Sequence, residues 1–222
     1  MKSAAALVWL MLLPVGSVVA AEEEGIDWLL TYDGKALPGA DWTAVGSPKA
    51  TVEPEGLRLV DDDAGFSYFQ APWQADPRLE TVVEATVRVV SQTGSQKTKT
   101  ASSLWPWRDG APVSVLVSDG RHQEGLVLFA NQAASHTDRF IPMDTSNRFH
   151  TYRLILHGKD MEMWVDGKRQ VTGQGAFWKP AESSAPFIRF GSSAKVATGT
   201  AVWASVRLGV RKPAGPLATD PV

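Results

Sequence analysis

The sequence predicts an all-β chain, folded as a two-sheet antiparallel β-sandwich. Three observations carry this. Apolar residues recur with period 2 in several segments. Turn dipeptides of the Asp-Gly type separate those segments. No segment shows a 3.6-residue apolar repeat with helix caps. Of the 222 residues, 44% are hydrophobic and 21% charged, enough apolar surface for one core and too much for a disordered chain. The formal net charge of −2 argues against a nucleic-acid binder, which needs a basic surface for phosphates. The absence of cysteine excludes disulfides, zinc–thiolate sites and thiol nucleophiles. Nine tryptophans against three tyrosines is the unusual feature of the composition.

In chain order, the N-terminus reads first. Lys2 gives a positive start, and Ala4 to Leu13 form an apolar run. That run falls short of the roughly 20 residues needed to span a bilayer. Val18-Val19-Ala20 or Val19-Ala20-Ala21 fits a signal-peptidase site. Residues 1–21 are therefore expected to be an export signal, 22–212 the folded domain and 213–222 a disordered tail. The expected location is the periplasm or the cell exterior, as a monomer with no membrane span.

Within the domain, Ile26–Tyr32, Leu57–Val60, Phe66–Gln70 and Phe187–Phe190 are short strand candidates. Thr81–Val89 alternates, with Val83, Ala85, Val87 and Val89 on one side and Glu84, Thr86 and Arg88 on the other. Val113, Val115 and Val117 alternate with Ser114, Leu116 and Ser118. Gly125–Ala130 is a short apolar run. Thr200–Val210 sets Val202, Val206, Leu208 and Val210 against Trp203, Ser205 and Arg207. Asp33-Gly34, Asp119-Gly120 and Asp166-Gly167 are the expected turns, and Ser91–Ala101 an expected loop.

One hairpin is testable by register. If Gly158-Lys159 is a two-residue turn, Leu156 faces Met161, Leu154 faces Met163 and Tyr152 faces Val165. The other face then pairs Ile155 with Glu162 and Arg153 with Trp164. A cation–π contact in that last pair is worth about 0.5–1 kcal/mol at an exposed site. A one-residue slip destroys the agreement.

At this hairpin the chain resembles a known superfamily. Phe149-His150-Thr151-Tyr152-Arg153-Leu154, His157-Gly158 and Met163-Trp164-Val165-Asp166-Gly167-Lys168 resemble the hairpin of concanavalin A-like, laminin-G-like jelly rolls. Glu55-Gly56-Leu57-Arg58-Leu59 resembles their early strand. Ile188-Arg189-Phe190-Gly191 and Val202-Trp203-Ala204-Ser205-Val206-Arg207 resemble their closing strands. The resemblance covers most of 26–210 and implies fold more than function, because such folds host lectins, receptor ectodomains, hydrolases and lyases. A partial resemblance to the 3-keto-disaccharide hydrolase family lies in Tyr32-Asp33-Gly34-Lys35-Ala36-Leu37 with Trp42. That family's central Gly-Asn-Ser-Gly segment is replaced here by Gln92-Thr93-Gly94-Ser95-Gln96-Lys97, so none of its catalytic residues carries over.

Catalytic constellations are sparse. Glu80 and Glu84 share a strand face, but two pleats separate them by about 13 Å. A retaining glycosidase needs its carboxyls about 5–5.5 Å apart. The pair therefore reads as a solvated strand face, with Glu84 near Arg88. His150 reads as a structural hydrogen-bonding residue. A lyase-like set of His122, Arg121 and Arg139 with Tyr68 or Tyr152 finds no support in spacing. Asp61-Asp62-Asp63 is a candidate for structural calcium, and no other cofactor is indicated.

Leu104-Trp105-Pro106-Trp107-Arg108-Asp109-Gly110 reads as a loop whose rings offer a platform for the apolar faces of sugars. The expected ligand-binding residues are Trp105, Trp107, Arg108, Glu84, Arg88 and His122, with Ser114 and Ser118 on the same face as Glu84 and Arg88. The expected partner is a glycan or polysaccharide, bound without catalysis. The alternatives are a divergent glycoside hydrolase or polysaccharide lyase, including the 3-keto-glycoside type, and a scaffold protein of the cell envelope.

Overall fold

A computed structural model describes residues 25–62, 66–74, 76, 78–93, 102–108, 111–120, 123–130, 139–158, 160–173, 186–192, 198–213 and 215. Residues 1–21, expected to be a leader, lie outside the described residues, as do Arg121, His122, Trp178 and most of 213–222. So do the side chains of Trp107, Arg108, Ser114, Ser118 and Arg139.

Fifteen strands and no helix occur among the described residues. They are β1 (Asp27–Tyr32), β2 (Thr43–Val45), β3 (Lys49–Glu53), β4 (Gly56–Asp61), β5 (Ser67–Pro72), β6 (Glu80–Thr93), β7 (Ser103–Arg108) and β8 (Ala111–Gly120). They continue with β9 (Gln123–Ala130), β10 (Arg139–Pro142), β11 (His150–His157), β12 (Asp160–Val165), β13 (Lys168–Gly173), β14 (Phe187–Ser192) and β15 (Thr198–Arg211). An eight-stranded sheet runs β13-β12-β11-β6-β15-β4-β3, with β1 also paired to β15. A seven-stranded sheet runs β10-β9-β8-β7-β14-β5-β2. The two stack as the expected antiparallel sandwich.

The two 14-residue strands, β6 and β15, pair along their whole length at the centre of the larger sheet. The β15 strand has two neighbours on its other side. Gly199–Trp203 pairs with β4, and Val206–Val210 with β1.

The core lies between the sheets. Val83, Ala85, Val87 and Val89 of β6 point into it, as alternation requires. Leu154, Leu156, Met161 and Met163 join them from β11 and β12. Phe190 is its aromatic centre. Its ring stacks on Tyr32 at 5.5 Å and Phe69 at 5.6 Å, and meets Trp42 at 5.0 Å and Trp203 at 5.1 Å. Offset and edge contacts of this kind add about 0.5–1.5 kcal/mol each beyond the area buried. Trp42, Trp73 and Trp203 are therefore core residues.

The β11–β12 hairpin has the expected register in every pair, from Tyr152 opposite Val165 to His157 opposite Asp160. Asp166 and Gly167, at φ 49° and 74°, join β12 to β13. That left-handed pair suits a two-residue hairpin turn. The Asp166 carboxylate accepts from the Thr151 amide at 2.9 Å and from Arg148 at 2.9 Å, and lies 2.8 Å from His150 Nδ1. His150 is buried and its other nitrogen lies 3.0 Å from Asn147 Oδ1, so it ties the turn to the preceding loop. The structural reading of His150 holds.

Several expectations need correction. The Trp105–Trp107 segment is not a loop but strand β7, inside the smaller sheet between β8 and β14. Ser91–Thr93 is not loop either, because polar Thr198–Thr200 pairs with it and extends β6. Asp119-Gly120 ends β8 rather than forming a turn. Alternation in β15 fails at one point. A bulge between Trp203 and Ser205 shifts the register, so that Trp203 and Val206 both face the core. Beside this bulge the chain packs tightly: a Cβ on Gly56 would lie 2.5 Å from the Trp203 carbonyl oxygen, and one on Gly34 2.7 Å from it. With φ of 149° and 72°, both positions need glycine.

Candidate functional site

Each sheet turns one face to the core and one face outward. On the eight-stranded sheet the outward residues of β6 are Glu80, Glu84 and Thr86. Glu84 lies directly opposite Arg153 of β11 and Arg207 of β15. It takes both: Arg153 Nη2 is 2.6 Å from Oε2, and Arg207 Nε donates to Oε1 at 3.1 Å. Glu80 takes Arg211 at 2.6 Å farther along the same face, beyond the Val82–Gly209 pair. Trp28 lies 4.2 Å from the Arg207 guanidinium, over its ring. Trp164 donates Nε1–H to Glu162 at 2.9 Å. The Glu80/Glu84 face is therefore a buried ion-pair ladder, not a solvated surface, with Glu84 only 4% exposed. Arg88 pairs with Glu55 at 2.7 Å instead of with Glu84, and sits 5.1 Å from the Phe149 ring centre.

The expected common face of Glu84, Arg88, Ser114 and Ser118 does not form. Glu84 and Arg88 belong to β6 of the larger sheet, and the two serines to β8 of the smaller one. Of the two tyrosines offered as alternatives for the lyase-like set, Tyr152 is packed in the core.

The second outward face belongs to the seven-stranded sheet, and Trp105 is on it. Leu104 of β7, with Ile188 and Phe190 of β14 and Phe69 and Ala71 of β5, points into the core. Alternation then turns Trp105, Arg189 and Gln70 outward. Register sets them side by side across three strands, because Arg189 pairs with Trp105 on one side and with Gln70 on the other. Tyr68 and Phe187 share the face. The Arg189 Nε donates to Gln70 Oε1 at 2.6 Å. Its guanidinium carbon lies 4.0 Å from the Phe187 ring centre, 4.7 Å from Tyr68 and 5.8 Å from Trp105.

This enclosure is electrostatically unusual. Burial pulls the Arg189 pKa below the ordinary arginine value, and Tyr68 opposes it weakly. No carboxylate among the described residues pairs with it. The Trp105 Nε1–H is buried with no hydrogen-bond acceptor among the described residues. Gly191 adds a third constraint: at φ 123° a Cβ there would lie 2.8 Å from the Ser67 carbonyl oxygen and 3.2 Å from Tyr68 Cβ. Glycine at 191 thus lets Tyr68 sit beside Arg189.

Sequence reasoning found Trp105 but not Arg189, Gln70 or Tyr68 as its neighbours. The available signal was Ile188 and Phe190, whose burial forces Arg189 outward. Trp107 is two residues along β7 and pairs with Phe187 in the backbone register.

Asp61 is buried at the end of β4, while both oxygens of exposed Asp62 take Lys49 Nζ, at 2.7 and 2.8 Å. The Lys49 hydrogen bond holds the Asp62 carboxyl below the usual range. Asp63 lies outside the described residues. Among the described residues no cluster of three or more His, Asp or Glu is placed to hold a metal ion. None of their helices is long and apolar enough to cross a membrane.

No protein-family model matches the sequence, and no curated protein matches it. Solved structures do match. A carbohydrate esterase from the Shiga toxin-encoding bacteriophage phi24B superposes with a TM-score of 0.64 at 12% identity, over 84% of this chain and 100% of the other. A laminarinase from Flavobacterium sp. UMI-01 gives 0.59 at 13% identity, over 82% and 100%. The carbohydrate recognition domain of Emp47p gives 0.52 at 15% identity, over 85% and 99%. At these identities the likeness is one of architecture. The chain has the concanavalin A-like jelly-roll fold.

Proposed function

We propose that the chain is an exported carbohydrate-binding protein, and that the outward face of the seven-stranded sheet takes the glycan. One observation carries the reading. Trp105, Tyr68 and Phe187 rings surround a half-buried Arg189 on the outward side of the sheet, Tyr68 and Phe187 being 8% and 9% exposed and Trp105 and Arg189 more open. Sugar rings bring apolar C–H faces for the aromatic rings and hydroxyls for a guanidinium or indole donor. A structural plug would not leave the arginine charge without an acid beside it among the described residues. The N-terminal leader supports export to the periplasm or the cell exterior, where polysaccharides are met.

In affinity electrophoresis through gels loaded with polysaccharides, the wild-type chain is retarded by at least one of them. Trp105→Ala weakens that retention tenfold or more, corresponding to about 1.4 kcal/mol. Failure of every polysaccharide to retard the wild type contradicts the proposal.

A second reading, a glycoside hydrolase or lyase on the same face, draws on the fold likeness to a laminarinase. A hydrolase of the usual kind needs a pair of carboxyls flanking the scissile bond. The outward residues described on this face carry none. Release of new reducing ends, or of unsaturated products absorbing in the ultraviolet, would replace the binding reading with this one.

A further inference from the structure

Among the described residues, arginines are paired with acids: Arg58 with Glu53, Arg88 with Glu55, Arg148 with Asp166, Arg153 and Arg207 with Glu84, and Arg211 with Glu80. Arg189 departs from this pattern. It is half-buried, and its one described hydrogen bond goes to the neutral Gln70. A guanidinium has five N–H donors in a planar fork. With Nε committed to Gln70, the two terminal nitrogens face no acceptor among the described residues. Removing a charge from water without a counter-charge is costly, and the cost is relieved when an anion arrives.

The surroundings narrow the anion. The Gln70 bond and the Phe187 ring at 4.0 Å fix the guanidinium plane, so it is organised before a ligand binds. A planar guanidinium matches a carboxylate or an oxyanion ester through two parallel hydrogen bonds. Tyr68 and Trp105, 4.7 and 5.8 Å from the charge, add ring faces within one sugar's width of it. Anion and sugar ring are thus matched together.

We infer that the ligand of this face is an acidic polysaccharide, a uronic acid or sulfated glycan whose anionic group pairs with Arg189. The inference rests on the carbohydrate-binding reading above and names its ligand class. Bulk charge does not favour such a ligand, because the chain carries a net −2. The preference must come from the local site.

The test uses the full chain in gels or titrations with polygalacturonate, dextran sulfate and neutral dextran at one ionic strength. At least one acidic polymer binds tenfold or more tighter than the neutral one. The stronger of the two acidic arms identifies carboxylate or sulfate as the anion. Arg189→Gln removes the preference, and Arg189→Lys keeps part of it. Wild-type binding needs no folded variant for its own check: the free acidic sugar (galacturonate or a sulfated galactose) competes, and galactose does not. Equal binding of neutral and acidic polymers, without competition by acidic sugars, overturns the Arg189 inference and leaves the carbohydrate reading standing. No binding to any polymer overturns both.

Discussion

Replacing Glu84 with alanine destabilises the fold by about 3–5 kcal/mol, the usual cost of breaking a buried ion pair by removing one partner. The reason is the position of Glu84 between two arginines on neighbouring strands. Its side chain is 5% exposed, that of Arg153 13% and that of Arg207 24%. Without the carboxylate both guanidinium groups lose the acid that stands between them. Thermal unfolding shows the loss as a fall in Tm of about 2–4 °C per kcal/mol in a chain of this size. Glu55→Ala is the internal control. Glu55 also pairs with an arginine, but its side chain is 54% exposed. Exposed pairs contribute about 0–1 kcal/mol, so this variant melts close to wild type. Equal shifts for both variants would show that the ladder does not stabilise the sheet.

Trp203→Ala costs a comparable 3–5 kcal/mol, the range for truncating a buried large aromatic residue. Trp203 is fully buried, touches Phe190 and sits at the bulge that Gly34 and Gly56 approach. Removing the indole opens a void where the Tyr32, Trp42, Phe69 and Phe190 cluster meets the larger sheet. Trp203→Phe behaves differently. The buried indole N–H has no acceptor among the described residues, so its loss removes an unsatisfied donor along with ring volume. Urea unfolding therefore gives a clearly smaller loss for phenylalanine than for alanine. Similar losses for the two variants would mean that volume is not what Trp203 contributes.

The sequence carried the fold wherever local rules agree with one another. In the β11–β12 hairpin, turn residues and alternation on both faces point to one register, and that register is observed. The Asp166-Gly167 turn was legible for the same reason. Rules that conflict locally hid other elements. Pro106 lacks a ladder donor, which argues against a central strand. In the structure the pairing of β7 with β14 runs through Pro106, while the β7–β8 bridges skip Trp105 and Pro106. The smaller sheet tolerates the proline on one side only. In β15 the bulge after Trp203 inverts the phase, and no local composition signals it.

The candidate site was half legible. Trp105 stood out as an aromatic beside proline and charge. Its partners did not, because Arg189 and Gln70 are 119 residues apart in sequence and meet only through the strand order β7-β14-β5. The same distance problem concealed the ladder. Glu80 and Glu84 repeat at four residues, as do Arg207 and Arg211, and the match appears only once β6 and β15 are neighbours. Glu84 and Arg88 are conspicuous in sequence because they are charged residues in an apolar strand. In the structure their charges are met by arginine and glutamate within the protein.

The central claim is that the ligand face is the outward side of the seven-stranded sheet. Hydrogen–deuterium exchange of the full chain, with and without a saturating polysaccharide that retards it, tests this most directly. Exchange is expected to slow in 67–72, 103–108 and 187–192, with 80–88 and 150–165 unchanged. Protection concentrated in 80–88 and 150–165 would place the ligand on the opposite face and rule the seven-stranded face out.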